Sequence, residues 1–335
     1  MHLTLHLTKS CSMRCDYCYA PPQPGRSMDP ATASRALDLA QQRAGGKSAG
    51  IIFFGGEPLL CRDLIAQTVA MAREREAADV DRQTRFHFKL TTNGVDLDEP
   101  FLEFSLRHDV LVALSLDGVR EAHNAHRRMA DGSSSFDRVL PRLKLLLAAR
   151  PYSSVMSVVN PDTAHLLADS MAFLHDELKV RYLIVSLNYA ADWHEEHWKA
   201  LERSYRRMAT LYQQWSRAGS KFYFSPFEVK IASHVSPGSC RAERCELGQT
   251  QISVAPDGEL YPCVQFVSDR SYSIGHVSTG IDEDARKRLY DLNGEEKESC
   301  ADCAIRDRCN HYCGCLNRQS TGRIDRVSPV LCAHE

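Results

Sequence analysis

Three cysteines crowd eight positions near the start of the chain: Cys11, Cys15 and Cys18, within LTKSCSMRCDYCYAPP. A closed structural zinc site takes four ligands, and a disulfide takes two. A cubane [4Fe-4S] cluster normally takes four cysteines. A trio of thiolates would leave one iron open, as catalytic metal sites keep a free position that structural sites do not. The competing readings are part of a zinc site or small apolar residues of a loop.

A second set of thiols lies in the last hundred residues. It runs Cys240-x4-Cys245-x12-Gly258-x4-Cys263, then Cys300-x2-Cys303-x5-Cys309-x3-Cys313, and finally Cys332. Eight thiols suffice for two complete four-cysteine sites, with a zinc ribbon as the alternative. Cys61 and Cys315 are left over, and Cys61, after an apolar pair where a helix starts, reads as packed.

The rest of the composition narrows what such sites can serve. Lys plus Arg number 41 against 43 Asp plus Glu in 335 residues, a balance that provides no electrostatic basis for a nucleic-acid partner. The N-terminus alternates apolar and polar residues and reaches Lys9, so no signal-peptide core is present. No apolar run approaches the roughly 20 residues of a membrane helix. A cytoplasmic chain is expected, where thiols stay reduced, and 13 cysteines there point to metal.

The elements that must position these thiols follow from periodicity. Strand candidates are residues 3–8, 50–54, 85–92, 110–116, 154–159 and 181–187, each followed by a turn and an amphipathic stretch. Asp29-Pro30 and Pro161-Asp162 read as helix starts. Six such units predict parallel strands with helical crossovers, as an α/β barrel, a partial barrel or a doubly wound sheet. The texture changes near residues 225–235, where a hairpin with Asp257-Gly258 at its turn opens a cysteine-rich segment poor in core formers. Bound metal would stabilise such a segment. The predicted units are residues 1–228 and 229–335.

In a parallel barrel the loops after the strands form the functional face. The cysteine trio follows the first strand, FFGGEP (53–58) the second, TTNG (91–94) the third and SLDG (115–118) the fourth. Singly these are ordinary turns; together they share one face, where Gly55 and Gly56 would let a ligand approach the backbone.

Taken in order, Cys-x3-Cys-x2-Cys with Tyr17, GGEP, TTNG and SLDGVREAHNAHR resemble the radical S-adenosylmethionine superfamily over residues 1 to about 190. The resemblance implies a partial (β/α)6 TIM-like barrel. It implies S-adenosylmethionine on the open iron, cleaved reductively to a 5'-deoxyadenosyl radical that abstracts hydrogen from the substrate. By motif, Gly55, Gly56 and Glu57 would receive the methionine amino group, and Ser115 and Arg127 its carboxylate, for which a guanidinium is suited. Tyr17 would lie near the adenine. Asn93 would order the third turn and touch the nucleoside. Arg127, ten residues after Asp117, fits the family spacing, whereas Arg128 reads as a surface charge.

The distal thiols resemble the SPASM domain, an auxiliary-cluster extension of this superfamily. Its seven-cysteine signature is met by Cys245, Cys263, Cys300, Cys303, Cys309, Cys313 and Cys332, with Gly258 in the Gly-x4-Cys step. Following the sulfatase-maturase arrangement, Cys240, Cys245, Cys263 and Cys313 would hold one [4Fe-4S] cluster, and Cys300, Cys303, Cys309 and Cys332 another. That makes three clusters with the one that binds S-adenosylmethionine.

Members with this domain commonly modify peptides, and the expectation is maturation of a ribosomally made precursor peptide by oxidative crosslinking or cyclisation. A separate leader-recognition protein and an electron donor such as flavodoxin or ferredoxin are the implied partners. The alternatives are sulfatase-maturase-like oxidation of Cys or Ser, a small-molecule substrate, or a non-catalytic metal protein. Maturases usually carry an aspartate after YPC, whereas this chain has Val264 and Gln265, neither able to act as a general base. NYAADWHEEHW (188–198) would bring Trp193, His194 and Glu195 to the barrel mouth, or start a helix. Anaerobically reconstituted protein is expected to bind about twelve irons, four per cluster; about four irons plus zinc would overturn the auxiliary-cluster assignment.

Overall fold

The computed structural model describes residues 1–20, 22–23, 25–79, 84–235 and 246–335; Cys240 and Cys245 lie outside them. The six expected strands form as β1 (His2–His6), β2 (Ser48–Phe54), β3 (Arg85–Thr92), β4 (Val110–Ser115), β5 (Ser154–Val159) and β6 (Tyr182–Leu187). Neighbours pair in parallel and in chain order. The crossovers carry helices α1 (Pro30–Ala44), α2 (Arg62–Ala78), α3 (Glu99–Arg107), α4 (Arg120–His126), α5 (Phe136–Ala149) and α6 (Leu167–Ala172). This is the α/β partial barrel that the periodicity and the resemblance imply.

Local chemistry explains the helix limits. Asp29 caps α1, its carboxylate accepting from Thr32 N at 2.6 Å with Pro30 in the first turn, and Gly45 ends it in the left-handed region at φ 55°. Asp98 caps α3 in the same way, accepting from Phe101 N at 3.0 Å. Pro161 opens a 3-10 turn (Pro161–Leu166) that runs on into α6. Along β3, buried Phe86, Phe88 and Leu90 alternate with exposed Arg85, His87 and Lys89, so one face is committed to the core. Phe88 stacks on Phe53 of β2 with ring centroids 6.0 Å apart.

Beyond β6, the long helix α7 (Glu195–Arg217) leads to a two-residue strand β7 (Tyr223–Phe224), which pairs with β6, and then to α8 (Ser225–Val235). Trp193, His194 and Glu195 form the start of α7. His194 caps it, and Trp193 stacks on Trp198 at 4.7 Å while its indole donates to Asn188 O. The helix-start reading accounts for all three.

The cysteine-rich segment does not stand apart. Its hairpin, β8 (Gln251–Val254) and β9 (Leu260–Tyr261), adds to the free edge of β1, with Thr4 opposite Ser253 in a parallel ladder. Among the described residues one sheet thus runs β7-β6-β5-β4-β3-β2-β1-β8-β9. The division expected at residue 228 falls inside α8, a continuous helix. Among the described residues no helix is long and apolar enough to cross a membrane.

Because β8 shares its ladder with β1, Ile252, fully buried on β8, supports both regions. Ile252→Ala is expected to cost about 2–5 kcal/mol and to lower the denaturation midpoints of barrel helicity and of cluster absorbance together. Two transitions that move apart would show the regions to unfold independently.

Candidate active site

The loop carrying Cys11, Cys15 and Cys18 leaves β1 and is clamped from two sides. From the turn after β2, Gly56 N donates to Thr8 O and Glu57 N to Ser10 O, both at 2.8 Å. From the segment after α4, Arg128 O accepts from Arg14 N at 2.8 Å, and Ser12 O accepts from Ala130 N at 3.0 Å. The glycine pair makes the first contact possible. A Cβ on Gly55, at φ 131°, would lie 2.5 Å from Thr8 O, and one on Gly56 would collide with Ser10 O. The cysteine loop itself approaches these glycines on the side where a Cβ would stand.

Glu57, expected to meet an amino group, is fully buried and braces two turns. Its carboxylate accepts from Leu59 N at 3.0 Å, Thr92 Oγ1 at 2.7 Å and Asn93 N at 2.8 Å. Burial pushes the carboxyl up to about 7 against the pull of those three donors. Asn93 orders its turn by accepting from Val95 N at 2.9 Å. Its amide also donates toward Cys11 Sγ at 3.5 Å and Ser12 Oγ at 3.2 Å.

On the other side lies a charged hub that motif spacing alone did not assign. Asp117, at the end of β4, accepts from Arg127 Nε at 3.1 Å through both oxygens, from Tyr17 OH at 2.7 Å and from Val158 N at 3.0 Å. Arg127 lies over the Tyr17 ring at 5.3 Å and reaches Cys15 Sγ through Nη1 at 3.9 Å. Burial opposes the Arg127 charge, but Asp117 more than offsets it and raises the guanidinium pKa. Tyr17, expected beside the adenine, spends its hydroxyl on this hub. Ser115 is buried two residues before Asp117.

Burial pushes the Cys11 thiol up and the Cys15 thiol to about 11, with Arg127 partly countering it at Cys15. Ligation would have to supply the deprotonation, as metal binding does when it releases thiol protons.

Among the described residues the distal thiols neighbour one another in two groups. Burial raises the Cys332 thiol, and its thiol neighbours Cys300 and Cys303 add to the effect; Cys309 in turn feels Cys332. In the other set, Cys263 precedes the 3-10 turn Val264–Phe266, and Cys313 caps the helix Gly314–Thr321. Gly258 holds φ 91° against His276, where a side chain would collide. Cys315 joins this set: its sulfur is 3.3 Å from Cys313 Sγ and hydrogen-bonded to Cys263.

Tyr19, directly after Cys18, connects the two regions. Burial, then the thiols of Cys263, Cys18 and Cys315, drive its phenol pKa well up, yet 38% of its surface stays open. The ring therefore stands beside both the three-thiol loop and the Cys263 set, partly open to solvent.

Comparison with known proteins places this geometry. The radical SAM superfamily model matches residues 5–174, half of the chain, and a SPASM iron-sulfur cluster-binding domain matches residues 245–304. The chain belongs to the radical SAM superfamily. It is 23% identical over 329 residues to a cysteine-type anaerobic sulfatase-maturating enzyme of Clostridium novyi, covering 91% of this chain and 85% of that one. It is also 23% identical over 338 residues to a serine-type enzyme of Klebsiella aerogenes, covering 94% and 80%. In fold it is similar to native anSMEcpe with bound AdoMet, with a TM-score of 0.84 at 17% identity, covering 99% of this chain and 94% of that one. The Streptococcus suis SuiB structure bound to precursor peptide SuiA gives a TM-score of 0.69 at 14% identity, covering 99% and 75%.

As a radical SAM oxidoreductase with a SPASM domain, the chain uses S-adenosylmethionine and [4Fe-4S] clusters, and its thiols fit them. Among the described residues, no three His, Cys, Asp or Glu side chains converge as a single metal ion requires. Asn93 and Arg127, aimed at Cys11 and Cys15, supply the polar contacts to sulfur that tune such clusters.

Removing Asp117 strands a buried guanidinium. Asp117→Ala is expected to cost about 3–5 kcal/mol, read as a lowered Tm together with weaker S-adenosylmethionine binding. Tyr17→Phe, which loses one hydrogen bond to a charged acceptor, is expected to cost about 1.5–3 kcal/mol.

Proposed function

We propose that this radical SAM enzyme oxidises a residue of a peptide or protein substrate by two electrons, with a Cys or Ser side chain as the target. The observation that carries the reading is Tyr19, a partly exposed ring that neighbours both the three-thiol loop and the Cys263 set. Bound S-adenosylmethionine supplies, on reductive cleavage, a radical able to take hydrogen from carbon. Cys11, Cys15 and Cys18 hold the cluster that binds it. Arg127, fixed by Asp117, presents its remaining guanidinium edge for a carboxylate, and Ser115 lies close by in sequence and burial. Asn93 and Glu57 keep the loop in place.

A substrate held against Tyr19 would have the distal cysteines nearby, and an auxiliary cluster there is suited to take the second electron. The sulfatase-maturating relatives match both regions of the chain, and an anSMEcpe structure with bound AdoMet and Cp18Cys peptide shares the fold at a TM-score of 0.84. An electron donor of the flavodoxin or ferredoxin kind and a peptide or protein substrate are the partners this chemistry requires.

One observation favours a second reading, oxidative crosslinking of a precursor peptide. Val264 follows Cys263, and Gln265 is tied to Gln319, whose amide donates to its side-chain oxygen at 2.5 Å; neither offers a base beside the Cys263 set. The two readings separate by product. With reductant, S-adenosylmethionine and peptides bearing Cys or Ser, the enzyme is expected to form 5'-deoxyadenosine and a hydrazide-reactive aldehyde. Loss of two hydrogens without an aldehyde would transfer the assignment to crosslinking, and absence of 5'-deoxyadenosine would sink both.

A further inference from the structure

Cys315 has no ligand role in the four-cysteine assignment, yet it lies inside the thiol group that assignment uses. It sits on the first turn of the helix Gly314–Thr321, buried, two residues after Cys313. Its sulfur meets Cys313 Sγ at 3.3 Å and is hydrogen-bonded to Cys263. The three sulfurs therefore form one contact group, with Cys315 between the other two.

Each corner iron of a cubane takes one terminal thiolate, and the corners point away from one another. Two sulfurs in contact at 3.3 Å cannot serve separate corners without moving apart. At this spacing one of the pair ligates and the other attends it. Cys313 completes the Cys-x3-Cys step, and Cys315 is the member that also touches Cys263. A thiol can donate through S–H and a thiolate can accept. Hydrogen bonds to cluster sulfurs are among the features that set reduction potential, because donors stabilise the more negative, reduced form.

We propose that Cys315 is a positioning residue of the first auxiliary cluster: its single S–H donates to the ligating sulfur of Cys313, beside Cys263, and holds the cluster's potential up. In the oxidation, one electron leaves the substrate radical, the cluster is reduced by one, and the proton is released to solvent. The inference rests on Cys263 and Cys313 being ligands, and the test separates that premise from the role of Cys315.

The test uses the full-length chain with Cys11, Cys15 and Cys18 replaced by Ala, so that only the distal clusters remain. After anaerobic reconstitution, iron and sulfide are counted and the cluster potentials followed by EPR during redox titration. The parent should hold about eight irons, four per cluster. Cys315→Ala should hold the same iron, with one potential moved to more negative values and the other unchanged. Cys315→Ser, which keeps a donor at that place, should restore most of the shift. Cys263→Ala should lose about half of the iron. If Cys315→Ala loses that much iron, Cys315 is a ligand and the proposal fails. It fails equally if neither potential moves. Full iron in Cys263→Ala would overturn the ligand assignment beneath it.

Discussion

The site depends on the close passage of two backbones where β2 ends and the cysteine loop begins. Side chains at residues 55 and 56 would drive that loop away, and the hydrogen bonds from Gly56 and Glu57 to Thr8 and Ser10 would be lost with it. Loops tolerate movement because they lie at the surface with few contacts; this one is held at both sides by main-chain bonds that carry no side-chain freedom. Three thiols on one loop can share a cluster only if their spacing is constant. Packing of glycine against backbone sets that spacing directly.

Electrostatics acts on the same loop from the opposite direction. A buried Arg127 would be costly without Asp117, and Asp117 is itself held by Tyr17 and Val158. Tyr17 lies between Cys15 and Cys18, so the hub that orients the guanidinium is anchored in the cysteine loop. Charge placement and thiol placement are therefore coupled through one phenol. On the other flank Glu57 performs the same service for Asn93 and hence for Cys11. Both carboxylates act through neighbours and neither is open to solvent.

The residues that sequence alone made legible are those whose signal is local. Alternation along RFHFKLTT marks β3, and Asp29-Pro30 marks the start of α1. What escaped depends on distance along the chain. β7 is two residues long and carries no period. The addition of β8 to β1 joins segments about 250 residues apart, and nothing local to Gln251–Val254 announces its partner. Asp117 entered only as the reference point for the spacing of Arg127, although its carboxylate braces the hub. Cys315 was left over because counting thiols into fours cannot show which sulfurs touch.

The join between β1 and β8 also bears on how the chain reaches this state. During synthesis the first strand emerges early, yet one of its edges has no partner until residues 251–254 follow. At about 5–20 residues per second, the edge waits on the order of ten to fifty seconds. An unpaired strand edge is a template for wrong pairing, and long-range parallel pairing is slow. At that seam Thr4 stands opposite Ser253, whose buried Oγ has no hydrogen-bond partner among the described residues. Until residues 251–254 arrive, a newly made barrel keeps that edge of its first strand open.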